Sequence, residues 1–278
     1  MKHKRILLAI ALLGAASLGL PSISGATITV INTNDNGQGS RRQAVADAVD
    51  GDTINFSSSL NGQTITLTSG ELLVDKSVAI IGPGANTLAV DANHASRVFY
   101  IASGKTVTIS GLSITNGTAS PSVPYYYNGG GIYNDHATLT VSNCTVSGNS
   151  TPTDSFGQGG GIFNDGSFGS APLTVINCTI SGNAAVPGTG GGITNYGGTL
   201  TITNSTLSSN SAQDGGGISN YGNPEFSSVT VNSSTLSGNS AAPGYGGAIS
   251  NTETLKIGNT ILNAGPSGMN IIILGLAW

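Results

Sequence analysis

Charge is scarce in this chain: Asp, Glu, Lys and Arg together make up 8% of its 278 residues, and that shortage excludes whole classes of function. Nine basic residues against 13 acidic ones give a formal net charge of -4, and an acidic surface does not take nucleic acid, whose phosphates demand Lys and Arg. Cysteine is scarcer still. Two residues cannot build the disulfide framework on which small exported folds rely, so something else must hold the chain together. Aromatic residues contribute 5%, with a single Trp. The apolar run from Ile6 to Leu20 falls short of the roughly twenty residues that a membrane-spanning helix needs.

That run sits between the basic residues Lys2, Lys4 and Arg5 and the small-residue stretch Ser22-Ile23-Ser24-Gly25-Ala26, the three-part pattern of a secretory signal peptide. Cleavage is expected after Ala26, leaving an exported chain, extracellular or at the cell surface, that does not span a membrane. Its 6 Lys+Arg stand against 13 Asp+Glu, a formal charge of -7. Attachment to an outer membrane is left open.

What the chain has in plenty is Gly, 42 residues of it, with Asn, Ser and Thr supplying solubility in place of charge. The 38% apolar content recurs in register, which disorder would not require. Gly-Gly-Gly-Ile begins at Gly129, Gly159, Gly190 and Gly215, and Gly246-Gly247-Ala248-Ile249 continues the series, at spacings of 30, 31, 25 and 31 residues. A second block follows each time: Leu139 to Asn149, Leu173 to Asn183, Leu200 to Asn210, Val229 to Asn239 and a decayed Leu255 to Leu262. Within a block, Leu139 and Val141 face one way and Thr140 and Ser142 the other, which is strand spacing. Asn143, Asn177, Asn204 and Asn259 interrupt the alternation where a residue tolerant of left-handed backbone can bend the chain; only Ser233 departs from that series.

One such period cannot fold alone, because its five or six apolar side chains recover far less free energy than ordering thirty residues costs. Stacking is therefore required. If each period is one coil, every strand pairs in parallel with its counterparts about 4.8 Å above and below, and equivalent residues form ladders, Asn on Asn and Ile on Ile. The expected fold is all-β, a right-handed parallel β-helix wound from one chain, of about eight coils and about 40 Å in length. Val107 to Ile114 resembles the same block, and Ile65-Thr-Leu67, Leu72-Leu-Val74 and Val78-Ala-Ile80 read as shorter strands of less regular coils. An open end needs a cap, and Ser40 can N-cap a short helix whose apolar face is Ala44, Val45, Ala48 and Val49, broken by Gly51-Asp52. The expected organisation is thus a signal peptide over 1–26, cap and irregular coils over 27–105, regular repeats over 106–263, and an aberrant apolar tail over 264–278, read as a truncated or frame-shifted end, with a hydrophobic cap strand or an interaction tail as the alternatives.

Gly39-Ser40-Arg41-Arg42-Gln43-Ala44-Val45, followed by Gly51-Asp52-Thr53-Ile54-Asn55-Phe56 and Gly82-Pro83-Gly84-Ala85, resembles the CSLREA-type N-terminal domain of bacterial right-handed parallel β-helix proteins. Gly39, Arg41 and Gln43 replace that motif's Cys, Leu and Glu. The Gly-Gly-Gly-Ile-x-Asn and Leu-Thr-Val-x-Asn repeats are similar to those of polymorphic outer-membrane proteins and adhesin-like surface proteins. The likeness covers residues 27 to about 263 and implies the fold. It implies little about activity, because the same scaffold carries adhesins, lyases and hydrolases.

Chemistry is thinly represented. Between Val107 and Asn263 the only basic side chains are Lys256 and His136, so a polysaccharide lyase relying on Lys or Arg has almost nothing to use. A hydrolase needs paired carboxylates, and Asp135 and Asp165 follow equivalent Asn residues in successive coils. They are the best carboxylate pair present, a weak candidate for catalysis and for a loose Ca²⁺ site; Tyr196, Tyr221 and Thr252 hold the same phase further on. Arg97 or a third carboxylate within reach would favour an enzyme. The Gly triplets match neither a phosphate loop nor a Ca²⁺-binding nonapeptide, and tight turns account for them. Cys144 and Cys178 share an interior phase, either as free thiols or as an adjacent-coil disulfide. Tyr125, Tyr126, Tyr127, Tyr133, Phe163, Tyr196 and Tyr221 cluster near the Gly-rich corner, where a ladder of exposed rings suits stacking on sugars or docking to protein, or else packs against neighbouring loops. The reading that follows is a non-enzymatic, adhesin-like β-helix facing extracellular polysaccharide or a protein surface, with no cofactor. A carbohydrate-active enzyme of the pectin-lyase-like class is the alternative.

Overall fold

The computed structural model describes residues 25–119, 127–154, 156–167, 169–222, 225–243, 245–263 and 265–273. Among these, the strands form three long sheets of nine, eight and eight members and one two-stranded sheet, and neighbouring strands in the long sheets run parallel, as the register of the repeats demands. Sheet I runs from Thr27–Val30 to Thr254–Gly258, sheet II from Gln63–Thr66 to Ile261–Asn263, and sheet III from Leu72–Val74 to Met269–Ile273. The chain visits III, I and II in turn and then returns through a longer loop, so nine rungs about 4.8 Å apart give a rod of about 40 Å. No helix among the described residues is long and apolar enough to cross a membrane.

The period-two alternation places its apolar members inside. Leu139 pairs with Leu173, and Val141 with Val175 and, one coil on, Ile202, all buried to within 1%. The Asn of the second corner sits in left-handed backbone, at φ 52° for Asn143, 53° for Asn177 and 50° for Asn204. Ser233 holds the same conformation, φ 47°, without an amide to favour it. Ser233→Asn is therefore expected to stabilise the chain by a few tenths to about 1 kcal/mol, read as a higher urea midpoint. A lower midpoint would contradict the reading of this corner.

Polar ladders run inside the same rod. Asn134, Asn164, Asn195, Asn220 and Asn251 are buried, each Nδ2 donating to the next Oδ1 at 2.6–2.8 Å. A second series, Asn149, Asn183, Asn210 and Asn239, does the same at 2.9–3.0 Å. The Gly triplets let neighbouring coils approach: a Cβ on Gly160 would lie 2.4 Å from the Ala184 carbonyl oxygen, and Gly159 has φ 65°. Cys144 and Cys178 are free thiols, buried and adjacent, each donating to the carbonyl two residues before it at 3.2 Å. The Cys178 sulfur and burial both push the Cys144 thiol up, so it stays protonated.

At the N-terminal end, helix α1, Arg41–Asp47, is capped by Ser40, whose Oγ accepts from Gln43 N at 3.2 Å. Ala44, Val45 and Ala48 are buried as expected, but Val49 lies beyond the helix and is 61% exposed, because the chain turns extended at Ala48. Arg42 ties the cap to the first coil through Gly70 O and Glu71 O, both 2.7 Å, and Asp35 Oδ1, 2.9 Å. Burial raises the Asp35 carboxyl, yet donors from Ser69, Arg42 and Thr68 outweigh it and hold it down at about 2. At the other end, Met269–Ile273, which carries no repeat signature, pairs in parallel with Gly246–Asn251 as a further rung of sheet III. Backbone pairing needs an extended segment in register, not the Gly-Gly-Gly-Ile consensus. The signal-peptide reading falls on residues outside the described ones, apart from Gly25 and Ala26.

Candidate functional site

The outward face of sheet III carries the chemistry. In Ile132–Asp135 the alternation buries Ile132 and Asn134 and turns Tyr133 and Asp135 outward; Ile162–Asp165 repeats it with Phe163 and Asp165. Parallel register extends two rows over the coils. One contains Tyr100, Tyr133, Phe163 and then Thr194; the other contains Asp135, Asp165, Tyr196 and Tyr221.

The rings form one continuous run that steps from the first row to the second. Tyr100 stacks on Tyr133 at 5.4 Å, Tyr133 meets Phe163 at 5.1 Å, Phe163 reaches Tyr196 at 6.5 Å, and Tyr196 meets Tyr221 at 5.1 Å. Of the two arrangements that the sequence leaves open, exposed rings or packed ones, Tyr133 and Phe163 take the packed one. They are 3% and 2% exposed, packed against each other and against the rings of the neighbouring coils; Tyr196 and Tyr221 are half-buried. Tyr127 is half-buried and does not line the cleft described below, while Tyr125 and Tyr126 lie outside the described residues. Burial, then the Asp165 charge, pushes the Tyr133 phenol far up, and burial pushes Tyr221 up to about 12, so both rings keep their protons near neutral pH.

Asp135 and Asp165 stand side by side on adjacent rungs, and each is engaged. Tyr100 Oη donates to Asp135 Oδ2 at 2.5 Å, and Tyr133 Oη donates to Asp165 Oδ2 at 2.7 Å. His136, held in left-handed backbone at φ 51°, lies between their other oxygens. Its Nδ1 is 2.6 Å from Asp135 Oδ1 and its Nε2 is 3.8 Å from Asp165 Oδ1. Ser167 completes the group, its N–H donating to Asp165 Oδ1 at 3.1 Å and its Oγ lying 3.4 Å from His136 Nε2. Sequence reading paired the two aspartates but missed His136, Tyr100 and Ser167. The adjacency of His136 to Asp135 was the available signal.

Arg97 does not offer a solvent-exposed cation. It is fully buried, 3.0 Å from Glu71, with its guanidinium 5.1 Å from the Tyr133 ring and 5.8 Å from that of Tyr100. Desolvation lowers Arg97 and raises Glu71, and their mutual attraction opposes both shifts. Beside the aspartates opens a cleft of about 360 Å³ lined by Asn128, Tyr133, Gln158, Phe163, Asp165, Tyr196 and Tyr221.

Coils of three parallel strands, stacked on internal Asn ladders and bearing a ring-lined outer cleft, define a parallel β-solenoid. A family model described as the right handed beta helix region matches residues 74–271, and the chain belongs to that family. Among solved structures, one titled as the crystal structure of pectate lyase Pel9A is similar to it over 89% of this chain and 82% of that one, at 14% identity and a TM-score of 0.45. No curated protein matches.

Proposed function

We propose that this chain is an exported, non-enzymatic surface β-helix that binds extracellular glycan, with a sugar ring seated in the Tyr196–Tyr221 cleft. The observation that carries the proposal is the cleft itself: two half-buried phenol rings 5.1 Å apart offer apolar faces, and Gln158, Asn128 and Asp165 surround them with hydrogen-bonding groups. That pairing of ring faces and amide or carboxylate edges suits a pyranose, which presents C–H faces and hydroxyl rims. Loops of unequal length bound the cleft, and in an adhesin-like protein they would set the choice of glycan.

The enzymatic alternative draws on Asp135 and Asp165. Both carboxylates already accept from Tyr hydroxyls, and the nearest guanidinium, Arg97, is sealed beneath the rings. Neither arrangement supplies the free acid and base or the exposed cation that chain cleavage asks for. Glycan-array binding by the exported chain is expected without release of reducing or unsaturated ends from the bound polysaccharide. Tyr196→Ala and Tyr221→Ala should each weaken binding by about 3- to 10-fold, the worth of one stacked ring. Turnover, or binding indifferent to both substitutions, would refute the proposal.

A further inference from the structure

His136 is placed as a metal ligand is. Its Nδ1 is committed to Asp135 Oδ1 at 2.6 Å, which orients the ring and leaves the Nε2 lone pair directed at the next coil. There Nε2 faces Asp165 Oδ1 across 3.8 Å, too long for a hydrogen bond and close to the span of two ligand bonds of about 2.0–2.2 Å meeting at one ion. Ser167 Oγ, 3.4 Å from Nε2, borders the same gap. Candidate ligand atoms of Asp135, His136 and Asp165 all lie within 4.8 Å of one another. The geometry points to a divalent transition-metal site in which His136 Nε2 and Asp165 Oδ1 bind an ion of the Zn²⁺ type, Asp135 acting as the carboxylate that orients the imidazole.

Two other uses of the group fit less well. Asp135, His136 and Ser167 also trace a line like that of a serine hydrolase. Asp165, accepting from the Ser167 N–H, would set a negative charge where such a reaction develops its oxyanion. Ca²⁺ wants six to eight oxygens, and here an imidazole nitrogen stands at the centre of the donor set, which selects borderline ions over hard ones. Two flanking carboxylates, 14% and 15% exposed, make the local charge negative and suited to a cation. An ion here would link two coils, Asp135 and His136 from one and Asp165 from the next; it shares Asp165 with the tyrosine cleft, but its test needs no sugar bound there.

The test is calorimetric titration of the untagged, chelator-stripped exported chain with ZnCl₂ and, separately, CaCl₂, together with the visible spectrum on adding CoCl₂. One equivalent of Zn²⁺ should bind and raise the thermal midpoint, EDTA should reverse the rise, and Ca²⁺ should do neither. Co²⁺ should develop ligand-field bands that Zn²⁺ displaces. His136→Ala should abolish binding, Asp135→Asn should weaken it about 10- to 100-fold, and His94→Ala should leave it unchanged. A folded wild-type chain without saturable Zn²⁺ binding, or with equal affinity for Ca²⁺, overturns the site. So does a His136→Ala variant that binds Zn²⁺ as the parent does. The wild-type arm decides even if that variant misfolds.

Discussion

Exchange of Asn183 for leucine is expected to cost about 1–3 kcal/mol, although the two side chains are close in volume. Asn183 Oδ1 accepts from both the backbone N–H and the side-chain Nδ2 of Asn149, each at 3.0 Å, and its Nδ2 donates to Val146 O and Asn210 Oδ1, each at 2.9 Å. Asn149 Nδ2 keeps Ile114 O, and Asn210 Oδ1 keeps the Asn183 backbone N–H. One group is left with nothing, the buried Asn149 N–H, while the Val146 carbonyl loses the Asn183 amide and keeps its place in the strand ladder. Each buried orphan costs about 1–3 kcal/mol. The deficit should appear as a lower urea midpoint. It can also appear as a second transition, since coils interact chiefly with their neighbours and a weakened rung separates the halves. Ser181→Ala, on the outward face two residues earlier, should stay within about 0.5 kcal/mol and serves as the control. Equal midpoints for the two variants would show that the internal amide ladder does not hold the coils.

The opposite sign is expected at Arg41. This side chain is 1% exposed, its guanidinium nitrogens find no hydrogen-bond partner among the described residues, and its cation lies 5.2 Å from the Phe99 ring. Burial, then the neighbouring Arg42, pushes it down from 12.5 to about 9. Its charge is sealed at the apolar end of the core, against Phe99. Arg41→Leu should stabilise the chain by roughly 1–4 kcal/mol, the range found when buried charges give way to packed apolar groups. The pH dependence follows from the direction of the shift. A base whose folded pKa is depressed carries its full penalty below that pKa, and the penalty fades as pH rises from about 9 towards 12.5. The midpoint gap between variant and parent should therefore be widest at neutral pH and narrow in alkali. A destabilised Arg41→Leu chain would mean that the guanidinium has an anionic partner.

Both effects concern features that sequence reading located unequally. The Asn of the Ser-Gly-Asn turn was visible as a repeating letter, and stacking of equal residues follows from the period alone. That Asn149 and Asn183 point inward and satisfy backbone groups of the preceding coil could not be read from spacing, because the alternation breaks at the corner that holds them. Arg41 was visible only as a departure from a motif. Its burial depends on how α1 lies across the first coils.

The candidate site divides along the same line. Asp135 and Asp165 could be paired from the sequence, since they share a phase and a parallel ladder preserves phase. His136 could not be placed by that rule: it leaves the strand through left-handed backbone, and only the corner geometry turns its ring between two rungs. The tyrosines were located but their exposure was not, because it depends on how the rings of neighbouring coils pack against one another.

What the sequence determined by itself was the coil: period-two apolar residues recurring every 25 to 31 positions leave parallel stacking as the way to bury them and to pair every backbone group. What only the tertiary structure decided was the set of contacts made across rungs and beneath loops, among them the Tyr cleft, the His136 bridge and the sealed Arg97. Those depend on the angle at which each corner and loop meets its neighbour, and local propensity does not encode that angle.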